Sequence, residues 1–270
     1  MKTLGGYARL LVRFGGFVVW TLLTWSAFEV RAFFAPPSRR PHVLDKYIRT
    51  WAKGCLALFH VKYVISGIPA PTEKGRLVLA NHRSPLDVVI LLRHFGGCML
   101  SHAGVRRWPL LGLVTRRVGT IFVDRESRES GRAALLTIRQ RLTDGYTVGM
   151  FPEGTTFEGD RVRAFRKGFI TASYGLTVDV ILVGLCYSDG DAFVQAGFAK
   201  HVKEVASRST IRISIACGVP FSASTLQPTD APRVQASVQE LVDQARAAHV
   251  ARWGVPPNSP GSSENLAPPS

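Results

Sequence analysis

The run Asn81-His82-Arg83-Ser84-Pro85-Leu86-Asp87 sets an imidazole and a carboxylate five positions apart, where a short apolar segment gives way to a turn. Ser84 is a good helix N-cap and Pro85 suits the first helical position, so the turn leads into a helix. His82 then stands just ahead of that helix and Asp87 in its first turn. A carboxylate so placed can accept a hydrogen bond from one ring nitrogen and leave the other free to take a proton, which is the arrangement of a general base with its orienting acid. A neutral imidazole suits that work near pH 7, since its unperturbed pKa is about 6.5. Taken alone, the pair reads first as an ordinary helix cap beside a bystander histidine. The other six histidines (His42, His60, His94, His102, His201 and His249) have no such setting.

Two further segments carry polar groups at the end of apolar runs. Gly119-Thr120-Ile121-Phe122-Val123-Asp124-Arg125 reads as a strand emerging at Asp-Arg, and Arg125 there could clamp a phosphate or carboxylate at two points, or form a surface ion pair with Asp124. In Met150-Phe151-Pro152-Glu153-Gly154-Thr155-Thr156 the strand stops at Pro152 and a turn follows. Gly154 permits close backbone approach there, and Glu153 could bind a substrate hydroxyl or position a neighbouring arginine. Downstream, Arg161, Arg163, Arg166 and Lys167 cluster around Phe165, either as a solvated charged face or as a landing site for phosphates.

The elements that must position these groups alternate from Arg76 onward. Short β-rich runs at 76–80, 120–123, 147–151, 178–183 and 210–216 are separated by helical patterns, among them one near 132–142 ending at Gly145. This predicts an α/β domain. A C-terminal helix starts near Asp230 and Pro232, with Val234, Val238, Leu241, Val242 and Ala245 as its apolar stripe. At the other end, the uncharged run 14–28 would reach only about 22 Å as a helix, short of the ~30 Å hydrocarbon core of a bilayer. A second, amphipathic stretch at 43–59 follows the prolines at 36, 37 and 41. A cleaved signal peptide, a span of a thin bilayer and a two-helix anchor in one leaflet are all compatible with this pattern, and the anchor fits both helices. The predicted organisation is anchoring helices at 1–60, the α/β domain at 61–253 and a disordered, proline-rich tail at 254–270.

With 34 Lys and Arg against 19 Asp and Glu, the chain carries a formal charge of +15, which favours anionic, phosphate-bearing partners. The basic residues are dispersed and no recognised nucleic-acid module is present, so a nucleic-acid partner is not expected. The four cysteines lack CxxC spacing, and neither a metal site nor a disulfide framework is expected.

Together and in this order the motifs resemble those of the glycerolipid acyltransferase family, which includes 1-acylglycerol-3-phosphate acyltransferases. The NHxxxxD motif stands at Asn81 to Asp87. The second motif stands at Gly119 to Arg125, after an Arg107-Trp108-Pro109-Leu110-Leu111-Gly112 approach. FPEGT stands at Phe151 to Thr155, followed by Phe165-Arg166-Lys167-Gly168. The resemblance covers about residues 76–190. It implies an α/β domain with a central mixed sheet flanked by helices, behind a membrane-anchoring helical pair. It also implies transfer of a fatty acyl group from acyl-CoA or acyl carrier protein to a lysolipid hydroxyl, with no further cofactor. His82 and Asp87 would be catalytic, and Arg125, Glu153, Gly154, Thr155, Arg166 and Lys167 would bind substrate. An anionic membrane surface, in particular the cytoplasmic side of a bacterial inner membrane, is the implied location.

Two departures bear on the acceptor. Thr156 stands where many phosphatidic-acid-forming members have Arg, and the segment 178–183 lacks the prolines of the fourth motif. Another lysolipid, such as lyso-ornithine lipid, is therefore an alternative acceptor. A hydrolase using the same dyad on water is a different reaction, and a catalytically silent membrane-binding or scaffolding protein is an alternative of a different class.

Overall fold

A computed structural model describes residues 4–254 apart from positions 71, 73, 109, 158 and 189–197. Two helices come first, α1 (Leu4–Phe33) and α2 (Arg40–Leu58). The strands and helices then run β1 (Val61–Ser66), β2 (Arg76–Ala80), α3 (Pro85–Phe95), β3 (Cys98–His102), α4 (Leu111–Arg117), β4 (Ile121–Val123), α5 (Arg128–Thr143) and β5 (Thr147–Met150). They continue as α6 (Gly168–Ser173), β6 (Asp179–Tyr187), α7 (Phe198–Ser207), β7 (Ile211–Cys217), β8 (Phe221–Ser222) and α8 (Ala231–Trp253).

Every residue of β2 is buried, so this strand must be covered on both faces and paired on both edges. It is central in the sheet order β1-β7-β6-β2-β5-β3-β4, parallel to β5 and β6, while β6 runs antiparallel to β7 and β8. Its alternate side chains feed two cores. Leu77 and Leu79 pack with Ile138 of α5, Phe169 of α6 and Val238 of α8; Val78 and Ala80 pack with Leu56 of α2 and Ile90 of α3. The expected mixed α/β sheet flanked by helices is therefore what forms. At Gly184 on β6 an added Cβ would meet the backbone of Leu241 and Val242 at 2.3 Å, so a glycine is what lets α8 lie directly on the sheet.

Three expectations change. The strands β1 and β3 were not signalled, because Lys62 and the polar Ser101-His102 end break their apolar pattern. β6 runs to Tyr187, beyond the expected end at 183, because β7 continues to pair with it there. Most importantly, α1 is twice the length of the uncharged run, about 45 Å at the usual rise. Arg13 and Glu29, which flank the uncharged run, do not end it, because the protein itself takes them up. Arg13 is buried and donates to the carbonyls of Leu58, Ala206, Arg208 and Ser209, and Glu29 pairs with Arg117 at 2.6 Å. The helix is long and apolar enough to cross a membrane by length and composition. The tail expected beyond Gly254 lies outside the described residues.

Candidate active site

β2 delivers the chain to the turn, and Asn81 fixes it there. Its amide nitrogen donates to the Leu185 carbonyl at 2.9 Å and its oxygen accepts from the Leu185 N–H at 2.8 Å, continuing the pairing to β6 through a side chain. Ser84 then caps α3, its hydroxyl accepting from Leu86 N–H while its own N–H donates to Asp87.

Asp87 is fully buried, and one of its oxygens gathers three donors: His82 Nδ1 at 2.8 Å, Arg83 N at 2.6 Å and Ser84 N at 2.8 Å. Its other oxygen accepts from the Tyr187 hydroxyl at the end of β6. The partner at Nδ1 assigns that nitrogen its proton. With Nδ1 committed, Nε2 is the nitrogen available to the cavity that His82 lines. The imidazole stacks on Phe151 with ring centroids 3.9 Å apart and planes 8° from parallel. The ring is thus held by one carboxylate edge-on and one aromatic face.

Glu153 does not take the expected place as a direct acceptor ligand. Its side chain is fully buried, and its oxygens accept from His82 N (2.7 Å), Arg83 Nη1 (2.9 Å) and Arg163 N (2.8 Å). No lone pair faces the cavity, and Glu153 is absent from the cavity lining. Its other sequence reading, positioning an arginine, describes the geometry. The arginine is Arg83, 1% exposed, which also donates to the carbonyls of His82, Gly159 and Arg161. The segment carrying those carbonyls is held in turn by α8: Gln239 accepts from Val162 N, Gln235 donates to Val162 O, and Arg246 pairs with Asp160 at 2.9 Å. A buried arginine and a remote helix therefore hold the backbone of the histidine. Neither was legible in the motif spacing, since nothing there marks Arg83 as interior.

His82, Gly154, Thr155, Arg125 and Arg166 share one cavity of about 1480 Å³. Gly154 has φ +82°, and an added Cβ would lie 2.8 Å from Arg166 Nε, so the guanidinium rests on bare backbone. Arg125 is affected first by burial and then by Arg166, both of which draw its guanidinium below the ordinary value. Two like charges facing one cavity are the arrangement an anion would relieve. Lys167 is exposed outside the lining. The same cavity is bounded by Phe14, Phe17 and Trp25 of α1, Tyr47 and Trp51 of α2, and Leu92 of α3. All four cysteines are buried free thiols. Burial pushes Cys55 and Cys217 up to about 12 and Cys98 to about 11, which leaves no thiolate nucleophile among them near neutral pH.

A fixed imidazole in a cavity lined by both cations and apolar side chains can activate a hydroxyl against a carbonyl carbon, the chemistry of an acyl-transferring enzyme. The family model for acyltransferases matches residues 64–188. The chain is 24% identical to a 1-acyl-sn-glycerol-3-phosphate acyltransferase of Neisseria gonorrhoeae, over 75% of this chain and 83% of that one. It is 36% identical to a lyso-ornithine lipid O-acyltransferase of Pseudomonas aeruginosa, over 57% and 59% respectively. The crystal structure of the 1-acyl-sn-glycerophosphate acyltransferase of Thermotoga maritima shares the fold, with a TM-score of 0.75 at 19% identity over 92% of this chain and 98% of that one. The matched segment 64–188 holds all three motifs, so the acyltransferase family it matches is the one that those motifs resemble.

Proposed function

We propose that the enzyme moves a fatty acyl group from a thioester of coenzyme A or acyl carrier protein to the hydroxyl of 1-acylglycerol-3-phosphate, giving phosphatidic acid. The observation that carries this reading is the His82–Asp87 pair at 2.8 Å, in a cavity lined by Arg125, Arg166 and many apolar side chains. The acceptor oxygen attacks the thioester carbon as His82 Nε2 takes its proton. The C–S bond then breaks, and the imidazolium returns the proton to the departing thiolate. Asp87 holds the ring and stabilises its charged form. Arg125 and Arg166 hold the acceptor phosphate, Gly154 and Thr155 form the wall beside it, and the acyl chain lies among the aromatic residues of α1 and α2.

We also place α1 and α2 in a single leaflet. Leu11, Val19, Leu22, Leu23, Val30 and Phe33 are exposed along one side of α1, a stripe suited to lipid. Contacts near both ends of α1, through Arg13 and Glu29, hold it along the body, which favours lying in the surface over crossing it. Both donors are anionic cytoplasmic molecules, and the +15 charge suits capture there beside an anionic inner-membrane surface.

Purified enzyme given labelled acyl-CoA or acyl-carrier-protein thioester should label lysophosphatidic acid. His82→Ala should retain the thermal melt and lose turnover by about 10²–10⁴-fold. Transfer without His82 would end the mechanism, and thioester consumption independent of lysolipid would make the protein a hydrolase. A second acceptor, lyso-ornithine lipid, is favoured by the higher local identity to the Pseudomonas enzyme and by Thr156 in place of an arginine. Selective labelling of that lipid would replace the acceptor and keep the chemistry.

A further inference from the structure

We propose that Tyr187 is a positioning residue that sets both the orientation and the basicity of His82 through Asp87; the catalytic meaning of this rests on the acyl-transfer reading above. Tyr187 is the last residue of β6, 1% exposed, and its hydroxyl donates to the Asp87 oxygen that His82 does not use. The opposite oxygen already receives the imidazole and two backbone N–H groups. The carboxylate is therefore gripped at both ends: α3 and the turn hold one, and the sheet holds the other. With only the turn-side bonds, it could pivot about the shared oxygen and carry the imidazole with it.

The phenol also moderates charge. A buried carboxylate facing an imidazole favours its charged form, and a hydrogen bond to the carboxylate's second oxygen withdraws electron density and weakens that pull. The charged and titratable groups around the ring are Asp87 on α3, Tyr187 on β6, the Arg83–Glu153 pair behind its backbone, and Arg125 and Arg166 on the cavity wall, which His102, Arg117, Asp124, Arg128 and Lys203 also line. Among these, Tyr187 lies outside all three sequence motifs and joins the base from the sheet side.

The test reads the ring directly, in the full chain in detergent micelles, by NMR titration of His82 with His82→Gln to assign its signal. Tyr187→Phe keeps the aromatic ring and removes the donor. The His82 midpoint should move up by about half a pH unit or more, because the carboxylate regains basicity. 3-Fluorotyrosine at position 187, a more acidic phenol in the same place, should move it down. In turnover, Tyr187→Phe should lower kcat several-fold with the acceptor KM unchanged and carry the acid limb of kcat/KM to higher pH. A His82 midpoint that ignores both replacements, or moves in the same direction for both, overturns the proposal. The titration needs no substrate, so opposed shifts with no acyl transfer would reject the catalytic reading while keeping the coupling.

Discussion

The two walls of the cavity are built on opposite principles. On the base side every polar atom of Asp87 and Glu153 is answered: the two carboxylates collect hydrogen bonds from His82, Arg83, Ser84, Arg163 and Tyr187, and both are buried. On the cation side, Arg125 and Arg166 face the same space and repel each other, and no carboxylate stands within ion-pair distance of either among the described residues. The difference teaches which part of the chemistry is prepared in advance. The base is organised before anything binds, so the protein supplies its geometry without reorganisation. The cations have no such partner among the described residues, and in the proposed reaction the acceptor phosphate supplies it.

The largest change should come from breaking the organised wall behind the histidine. Glu153→Leu leaves Arg83 buried without its counter-ion, and urea unfolding should show a loss of about 3–5 kcal/mol. A loss below about 1 kcal/mol would mean that the pair does not hold the turn. On the cation wall the same kind of deletion should barely touch stability. Arg125→Ala should raise the KM for lysophosphatidic acid about tenfold, equivalent to about 1.4 kcal/mol, and leave a phosphate-free acceptor unchanged. Equal effects on both acceptors would remove the phosphate from the argument.

A smaller effect separates stability from catalysis in acid. His94, near the C-terminal end of α3, is held down to about 4 by burial and by Arg93 and Arg49, and its Nε2 has no hydrogen-bond partner. The folded pKa lies below the unfolded value of about 6.5, so the unfolded chain takes up the proton first. Its contribution to stability should be complete above pH 6.5 and fall away as the pH drops through 6.5 toward 4. His94→Asn should flatten that part of the stability profile without moving the acid limb of turnover. If the limb follows His94, it does not report on His82.

The sequence made the reacting pair legible because its signals are local. Ser84, Pro85 and Asp87 specify a capped helix start, and the cap brings the carboxylate to the imidazole in the same turn. β2 was legible for a related reason, as a short run apolar at nearly every position. What stayed hidden depends on partners far along the chain. Arg83 is interior only because Glu153 and the carbonyls of Gly159 and Arg161 surround it. Tyr187 reaches Asp87 only because β6 runs on past its expected end. The length of α1 is hidden for the same reason: a charge ordinarily marks the end of an apolar segment, whereas Arg13 turns inward to carbonyls from two other parts of the chain. Glu153 shows the same limit: its residue type suggested a ligand for substrate, and its surroundings make it a strut.

The attachments of α1 set a fixed elevation. Arg13 joins it to the ends of α2 and α7, and Glu29 joins it to α4, so the helix is tied to the catalytic body at two points. Any film of amphiphiles that receives the outer side of α1 then holds the imidazole at a constant height above its plane. A lipid alcohol must rise to that height to be acylated, and how far it can climb before its own tails leave the oil becomes a criterion of selection.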